Sequence, residues 1–132
     1  MKILSRQAHE SYLILQELAN TKLPFKVSLI ISRNLKILQK ESEFYIEQEQ
    51  AFVRDYLEFD SETGELIQTE PGVFKIQDGK VEECYKARQD LDNFEVEVEL
   101  KKIPLSALEN IDFTPAQLMA IEFMIEEDED ND

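Results

Sequence analysis

Between about Lys26 and Phe59 the chain contains neither glycine nor proline. Nothing else in it constrains the fold as much. Within the stretch Ile31, Leu38, Tyr45 and Phe52 recur every seventh residue, with Leu35 and Tyr56 alongside, and Glu41, Glu43, Glu47 and Glu49 fall between them. An apolar stripe at that period, with acids on the other face, predicts one long amphipathic helix of coiled-coil character. At ~1.5 Å per residue it would run roughly 50 Å, more than the width of a small domain.

A shorter helix precedes it. Ala8, Tyr12, Leu15 and Ala19, with Leu18 beside them, give a helical stripe from Ser5 to about Ala19, and Lys22-Leu23-Pro24 breaks it. Folded back on the long helix, a partner half its length covers only the beginning. Tyr45, Phe52 and Tyr56 then need cover from the later part of the chain or from a second subunit. They are therefore candidate partner contacts, and homodimerisation through the Tyr45 to Tyr56 segment is the simplest expectation.

The remainder reads as short mixed elements. Asp60 to Gly64 is a turn. Glu65-Leu66-Ile67-Gln68 and Val73-Phe74-Lys75-Ile76 flank Pro71-Gly72, whose order fits a type II turn, so a hairpin is expected. Val81, Cys84, Tyr85, Arg88 and Leu91 give a third helix. Phe94, Val96, Val98 and Leu100 alternate with Glu95, Glu97 and Glu99, a strand with one apolar and one anionic face. Thr114-Pro115-Ala116-Gln117 has the cap, first-turn proline and third-position Gln of a capping box. The helix it starts carries Met119, Phe123 and Met124 and reaches about Met124, apolar nearly all round. The expected fold is α+β: a helical hairpin with one long coiled-coil-like helix, a small antiparallel sheet and short C-terminal helices. Residues 1–125 are expected to form the single domain, and residues 126–132 an acidic flexible tail.

Charge limits the partners. The chain has 29 acidic and 14 basic residues, a formal net of −15, and removing the six acids of the tail still leaves −9. Such a polyanion repels nucleic-acid backbones and anionic membranes and favours basic proteins or cations. No apolar run approaches the ~20 residues of a membrane span, and the first residues lack a signal-peptide core. Cys84, the lone cysteine, excludes an internal disulfide and suits a reducing cytoplasm. These features describe a soluble intracellular protein.

Catalytic chemistry has little to draw on. His9, the one histidine, reads as a solvated helix residue, and Cys84 as a small buried hydrophobe. Glu43 and Glu47 share a helix face with Glu49 nearby, yet no Glu-x-x-His pattern accompanies them, so they read as a solvated face. Asp60-Ser61-Glu62-Thr63-Gly64-Glu65 misses calcium-loop spacing, because glycine is fifth and Pro71 occupies the twelfth place. Gly64, Gly72 and Gly79 stand apart, so no phosphate-cradling loop exists. No enzyme activity, metal or cofactor is expected.

Two surfaces invite binding. Met119, Phe123 and Met124 offer an adaptable apolar face beside the tail acids Glu126, Glu127 and Asp128. Glu95, Glu97 and Glu99 would form a ladder with ~6.6–6.8 Å between alternate residues, close to the phosphate spacing of a nucleic-acid strand. That ladder supports an alternative reading, an acidic inhibitor that imitates nucleic acid.

The order of elements also resembles a family. The Lys22-Leu23-Pro24-Phe25-Lys26-Val27 lead into Ile30-Ser32-Arg33-Asn34-Leu35 is similar to the opening of a group of small proteins from tailed bacteriophages and prophages of Gram-positive bacteria. The closing Glu95 to Leu100, Ile103-Pro104-Leu105, Phe113 to Leu118 and Ile121-Glu122 resemble the same group more strongly. The resemblance implies a phage origin, a place in the host cytoplasm or the virion, and a non-enzymatic interaction role in virion assembly or as a virion accessory. The group has no established function, so no site residues carry over. The expected partner is a phage structural protein or a basic host protein, with neither nucleic acid nor membrane bound directly.

Overall fold

The computed structural model describes residues 1–127. In chain order the elements are β1 (Lys2–Leu4), α1 (Ser5–Leu18), α2 (Phe25–Tyr56), β2 (Gln68–Glu70), β3 (Val73–Phe74), α3 (Val81–Asp92), β4 (Glu95–Glu97), β5 (Ile103–Pro104), a 3-10 turn at Leu105–Leu108, α4 (Pro115–Ile121), a second 3-10 turn at Glu122–Met124, and β6 (Ile125–Glu126). The α+β class is as read from the sequence, and α2 is its spine.

The heptad stripe sets what α2 buries. Val27, Ile31, Asn34, Leu38, Ser42 and Tyr45 are its buried residues, spaced three and four apart along one face. Pro24 starts the helix, where a missing N–H costs nothing and the preceding α1 has ended. α1 folds back along the first part of α2, and the link of residues 19–24 makes the pair a helical hairpin. α4 then packs on α1, so the core collects Ile3, Ala8, Leu15, Ile31, Leu38, Ile103, Ile121 and Met124.

Hydrogen-bonded polar groups sit inside that core. Asn34, fully buried, donates from Nδ2 to the Lys101 carbonyl and accepts from the Lys101 N–H, both at 2.9 Å. One side chain thus satisfies both backbone groups of a residue in the irregular segment after β4. The Ser11 hydroxyl donates to the Ala120 carbonyl at 2.5 Å and ties α1 to α4.

The strands differ from expectation in partner and, for one pair, in direction. β4 pairs antiparallel with β1, a strand the sequence did not announce, in the register Lys2 to Glu97 and Leu4 to Glu95. Ser5 N–H to the Phe94 carbonyl at one end, and Val98 N–H to the Met1 carbonyl at the other, extend the pairing. Regular strand covers only part of Phe94 to Leu100, and Phe94 is exposed rather than on the apolar face. β5 and β6 pair in parallel, so the sheet content is not wholly antiparallel. The hairpin β2–β3 forms around Pro71-Gly72, where Gly72 takes φ 81°, the positive value a type II turn needs at that place.

Two helix ends also moved. α2 stops at Tyr56 rather than Phe59, because Leu57 is already extended and bridges Ile76, and Phe59 bridges Leu66. There the Glu58 N–H bonds the Lys75 carbonyl, Lys75 N–H the Ile67 carbonyl, and Ile67 N–H the Glu58 carbonyl, closing a ring of three chain segments. The last helix is α-helical only to Ile121 and tightens into a 3-10 turn over Glu122–Met124. Its Thr114–Gln117 capping box is present in both directions, at 2.9 and 3.1 Å.

Candidate functional site

The far end of α2 is covered by its own chain. α3 packs against it, and the α2 carbonyls left without helical partners are met from the segment after the hairpin. Gln77 donates from Nε2 to the Leu57 carbonyl at 3.0 Å, and Lys80 Nζ donates to the Asp55 carbonyl at 3.2 Å. α3 itself begins with Glu82 and Glu83 in its first turn, where the helix dipole favours acids.

Arg88 is the pin between the two helices. From α3 its guanidinium reaches Glu49 on α2 at 2.7 Å and Asp92 one turn further along α3 at 2.7 Å. It also lies 5.3 Å from the centre of the Phe52 ring, a cation–π distance. Tyr45 donates its hydroxyl to the same Glu49 carboxylate at 2.8 Å, and its ring stacks on His9 with centroids 5.1 Å apart. His9 Nδ1 in turn meets the Ser42 hydroxyl at 2.7 Å. The chain of contacts runs from α1 through α2 to α3.

The charges respond accordingly. Hydrogen bonding from Arg88 holds the Glu49 carboxyl below its ordinary range despite partial burial, and does the same for Asp92. The Arg88 guanidinium is pushed further toward its charged form by those two acceptors. Burial, helped by the bond to Glu49, raises the Tyr45 hydroxyl, and burial raises the Cys84 thiol. A buried, raised thiol makes a poor nucleophile. Ser42 is no better placed, being buried despite its histidine neighbour. Among the described residues no group of three His, Cys, Asp or Glu side chains could hold a metal ion.

Beside this pin lies a groove of about 280 Å³ between α2 and α3. α2 supplies Phe44, Ala51, Phe52 and Tyr56 to it. Ala87 and Leu91 form the α3 wall, and Phe94, just past the helix, closes one end. Phe44 and Phe94 contact each other, with ring centroids 5.6 Å apart, yet are 37% and 46% exposed. Two alanines leave the space that the aromatic rings enclose. The polar groups that line it are Gln48, Asp55 and Asp90, so it carries two carboxylates and no cation.

The residues singled out in the sequence divide unevenly over this surface. Phe52 and Tyr56 line the groove, with rings 5.4 Å apart. Tyr45 does not, because His9, Glu49 and the helices around it bury its ring. Met124 is fully buried in the core, since the 3-10 turn swings it inward, so it offers no partner contact. Phe123 is half-buried against the same core, whereas Met119 is 73% exposed on α4, away from the groove.

The acids fall apart similarly. Glu95, Glu97 and Glu99 are exposed, but the Met1 ammonium sits 2.8 Å from Glu97 and lowers its carboxyl pKa. Glu126 and Glu127 are exposed, and Asp128 lies outside the described residues. Of the long-helix acids, Glu43 and Glu47 are exposed as expected, while Glu49 is recruited by Arg88. His9 is half-buried rather than solvated. In the sequence Arg88 stands out only as part of the third helical stripe and Phe94 only as part of the strand alternation, and Ala51 and Ala87 stand out in neither. The i, i+4 pair Arg88–Asp92 was the one local signal available for the pin.

Comparison with known proteins finds no matching family model, no matching curated protein and no matching solved structure. Among the described residues no helix is long and apolar enough to cross a membrane.

Proposed function

We propose that this chain is a non-enzymatic protein-interaction protein that docks a protein partner in the α2–α3 groove. On the resemblance to phage proteins read from the sequence alone, it serves virion assembly or accompanies the virion, and works in the host cytoplasm. The observation that carries the reading is the pair Phe44 and Phe94, large aromatic side chains left open to solvent around an apolar cleft. Clustered aromatics at a concave surface are the composition of interface hot spots. At about 280 Å³ the cleft is at the small end of the ~300–1,000 Å³ range of ligand sites, room for a few anchoring side chains.

The test is capture from phage-infected host cells with the tagged chain, compared with Ala87→Arg, which fills the cleft from the α3 wall. Phage structural proteins captured by the native chain and lost with the variant support the reading. Capture that ignores Ala87→Arg removes the groove from the account. Glu95 and Glu97 stand exposed on β4 and Glu99 is exposed just beyond it, which keeps the nucleic-acid-mimicking inhibitor as a second reading. Capture of a basic host protein that is abolished by changing those three to Gln would carry it instead.

A further inference from the structure

We infer that the occupant of the α2–α3 groove is a short amphipathic helix with aromatic or large aliphatic anchors on one face and Lys or Arg flanking them. This deepens the docking reading above and rests on it. Backbone chemistry selects the helix. Both long walls of the groove are α-helices, whose backbone N–H and C=O groups are already paired within themselves. An extended segment laid there would find no sheet edge, and its own backbone groups would lose water without gaining partners. A helix arrives with those groups satisfied and presents only side chains.

Length and volume agree. The α2 wall runs from Phe44 to Tyr56, which at ~1.5 Å per residue is roughly 18 Å, or about three turns of a docked helix. Anchors at i, i+4 and i+7 lie on one face and cover about 10 Å of that wall. The cleft has room for their side chains beside Ala51 and Ala87 while the docked backbone stays outside.

Charge selects the flanks. Asp55 and Asp90 line the groove with no cation among its lining residues, in a chain of net charge −15; the exposed Arg54 lies 4.0 Å from Asp55 on the outer side. Arg88, the nearest guanidinium on α3, is already engaged by Glu49 and Asp92. A second copy of this chain would bring the same negative charge to the contact, whereas Lys and Arg beside the anchors meet opposite charge.

The experiment measures fluorescence anisotropy of labelled 15-residue peptides titrated with the full chain. One peptide has Leu and Phe anchors at i, i+4 and i+7 among Lys, Arg and Ala. A second has the same composition scrambled, and a third has Glu in place of Lys and Arg. The expected result is saturable binding of the first, at least tenfold weaker binding of the other two, and at least tenfold loss with Ala87→Arg. Phe94→Ser, a change at an exposed position, gives the same loss without endangering the fold. Asp55→Asn with Asp90→Asn weakens binding several-fold and flattens its salt dependence.

Equal binding of the scrambled peptide overturns the inference, since attraction to net charge would explain it. So does preference for the acidic peptide, or a dimer of the chain that Ala87→Arg dissolves. If no peptide binds while Ala87→Arg still abolishes capture from infected cells, the groove stands as a docking site and the helical, basic partner is wrong. If neither assay responds to Ala87→Arg, both readings fall together.

Discussion

The two ends of α2 are held by different physics. Its first part lies in the main apolar core with α1, α4 and the segments around β4, β5 and β6, where Leu15, Leu38, Ile103, Ile121 and Met124 are fully enclosed. No described residue between 45 and 94 belongs to that core. The distal part has only Tyr45, Leu57, Cys84 and Leu91 as buried apolar side chains, each retaining 4–9% exposure. It relies instead on Arg88, on the Gln77 and Lys80 contacts to α2 carbonyls, and on the closed ring of Glu58, Ile67 and Lys75. Apolar burial contributes steeply to global stability, while partly exposed ion pairs contribute little. The proximal part is therefore expected to be the more stable and the distal part to open at lower free energy. The groove sits in the second.

The sharpest way to break that comparison is to delete the same amount of side chain from each part. Leu38→Ala removes a fully enclosed leucine and is expected to cost about 2–5 kcal/mol in urea unfolding. Leu91→Ala, at the wall of an open groove, should fall at or below the bottom of that range, because solvent reaches the space it leaves. Equal losses at the two positions would mean one continuous core and would end the distinction.

Asn34→Ala is next in size. It leaves the N–H and carbonyl of Lys101 without their partners, a loss of about 1–3 kcal/mol by the usual cost of an unmet buried group. Amide exchange should speed up at Lys101 and leave α3 unchanged. Acceleration in α3 as well would show that the two parts unfold as a unit.

What the sequence announced was local or periodic. The 3–4 spacing of the α2 stripe, the Thr114–Gln117 box and the Pro71-Gly72 turn each depend on residues within a turn of one another, and each is present. What it concealed depends on contacts between distant segments. β1 and β5–β6 are strands of two or three residues that exist only through their partners, too short to leave an alternating pattern. Asn34 looked like an ordinary polar residue on a charged helix, because the backbone it clasps lies 67 residues away. Phe94 read as strand interior, yet the ladder begins at Glu95 and turns it out to the groove. Phe52 and Tyr56 were legible as apolar residues beyond the reach of α1. That α3 would leave a cleft beside them was not, since it depends on Ala51 and Ala87, from two distant segments, lining the same space.

Arg88→Met gives the smallest global effect and the most specific one. Methionine keeps an apolar stem over Phe52 and removes the bonds to Glu49 and Asp92. Because Arg88 retains 35% of its side-chain exposure, the loss in global stability should be below about 1 kcal/mol. Amide exchange in α3 should nevertheless accelerate while α1 and α4 stay protected. Acid supplies the control. The folded-state carboxyl pKa values of Glu49 and Asp92 are depressed, so the stability they add is fully present above their ordinary range and is lost as pH falls through the lowered values. The gap between native chain and Arg88→Met in thermal unfolding should hold from neutral pH down to that range and close below it. A gap that survives full protonation would assign the role of Arg88 to its cation–π contact with Phe52. The ion pairs would then hold little of the distal part, and the aromatic face of α2 would hold more.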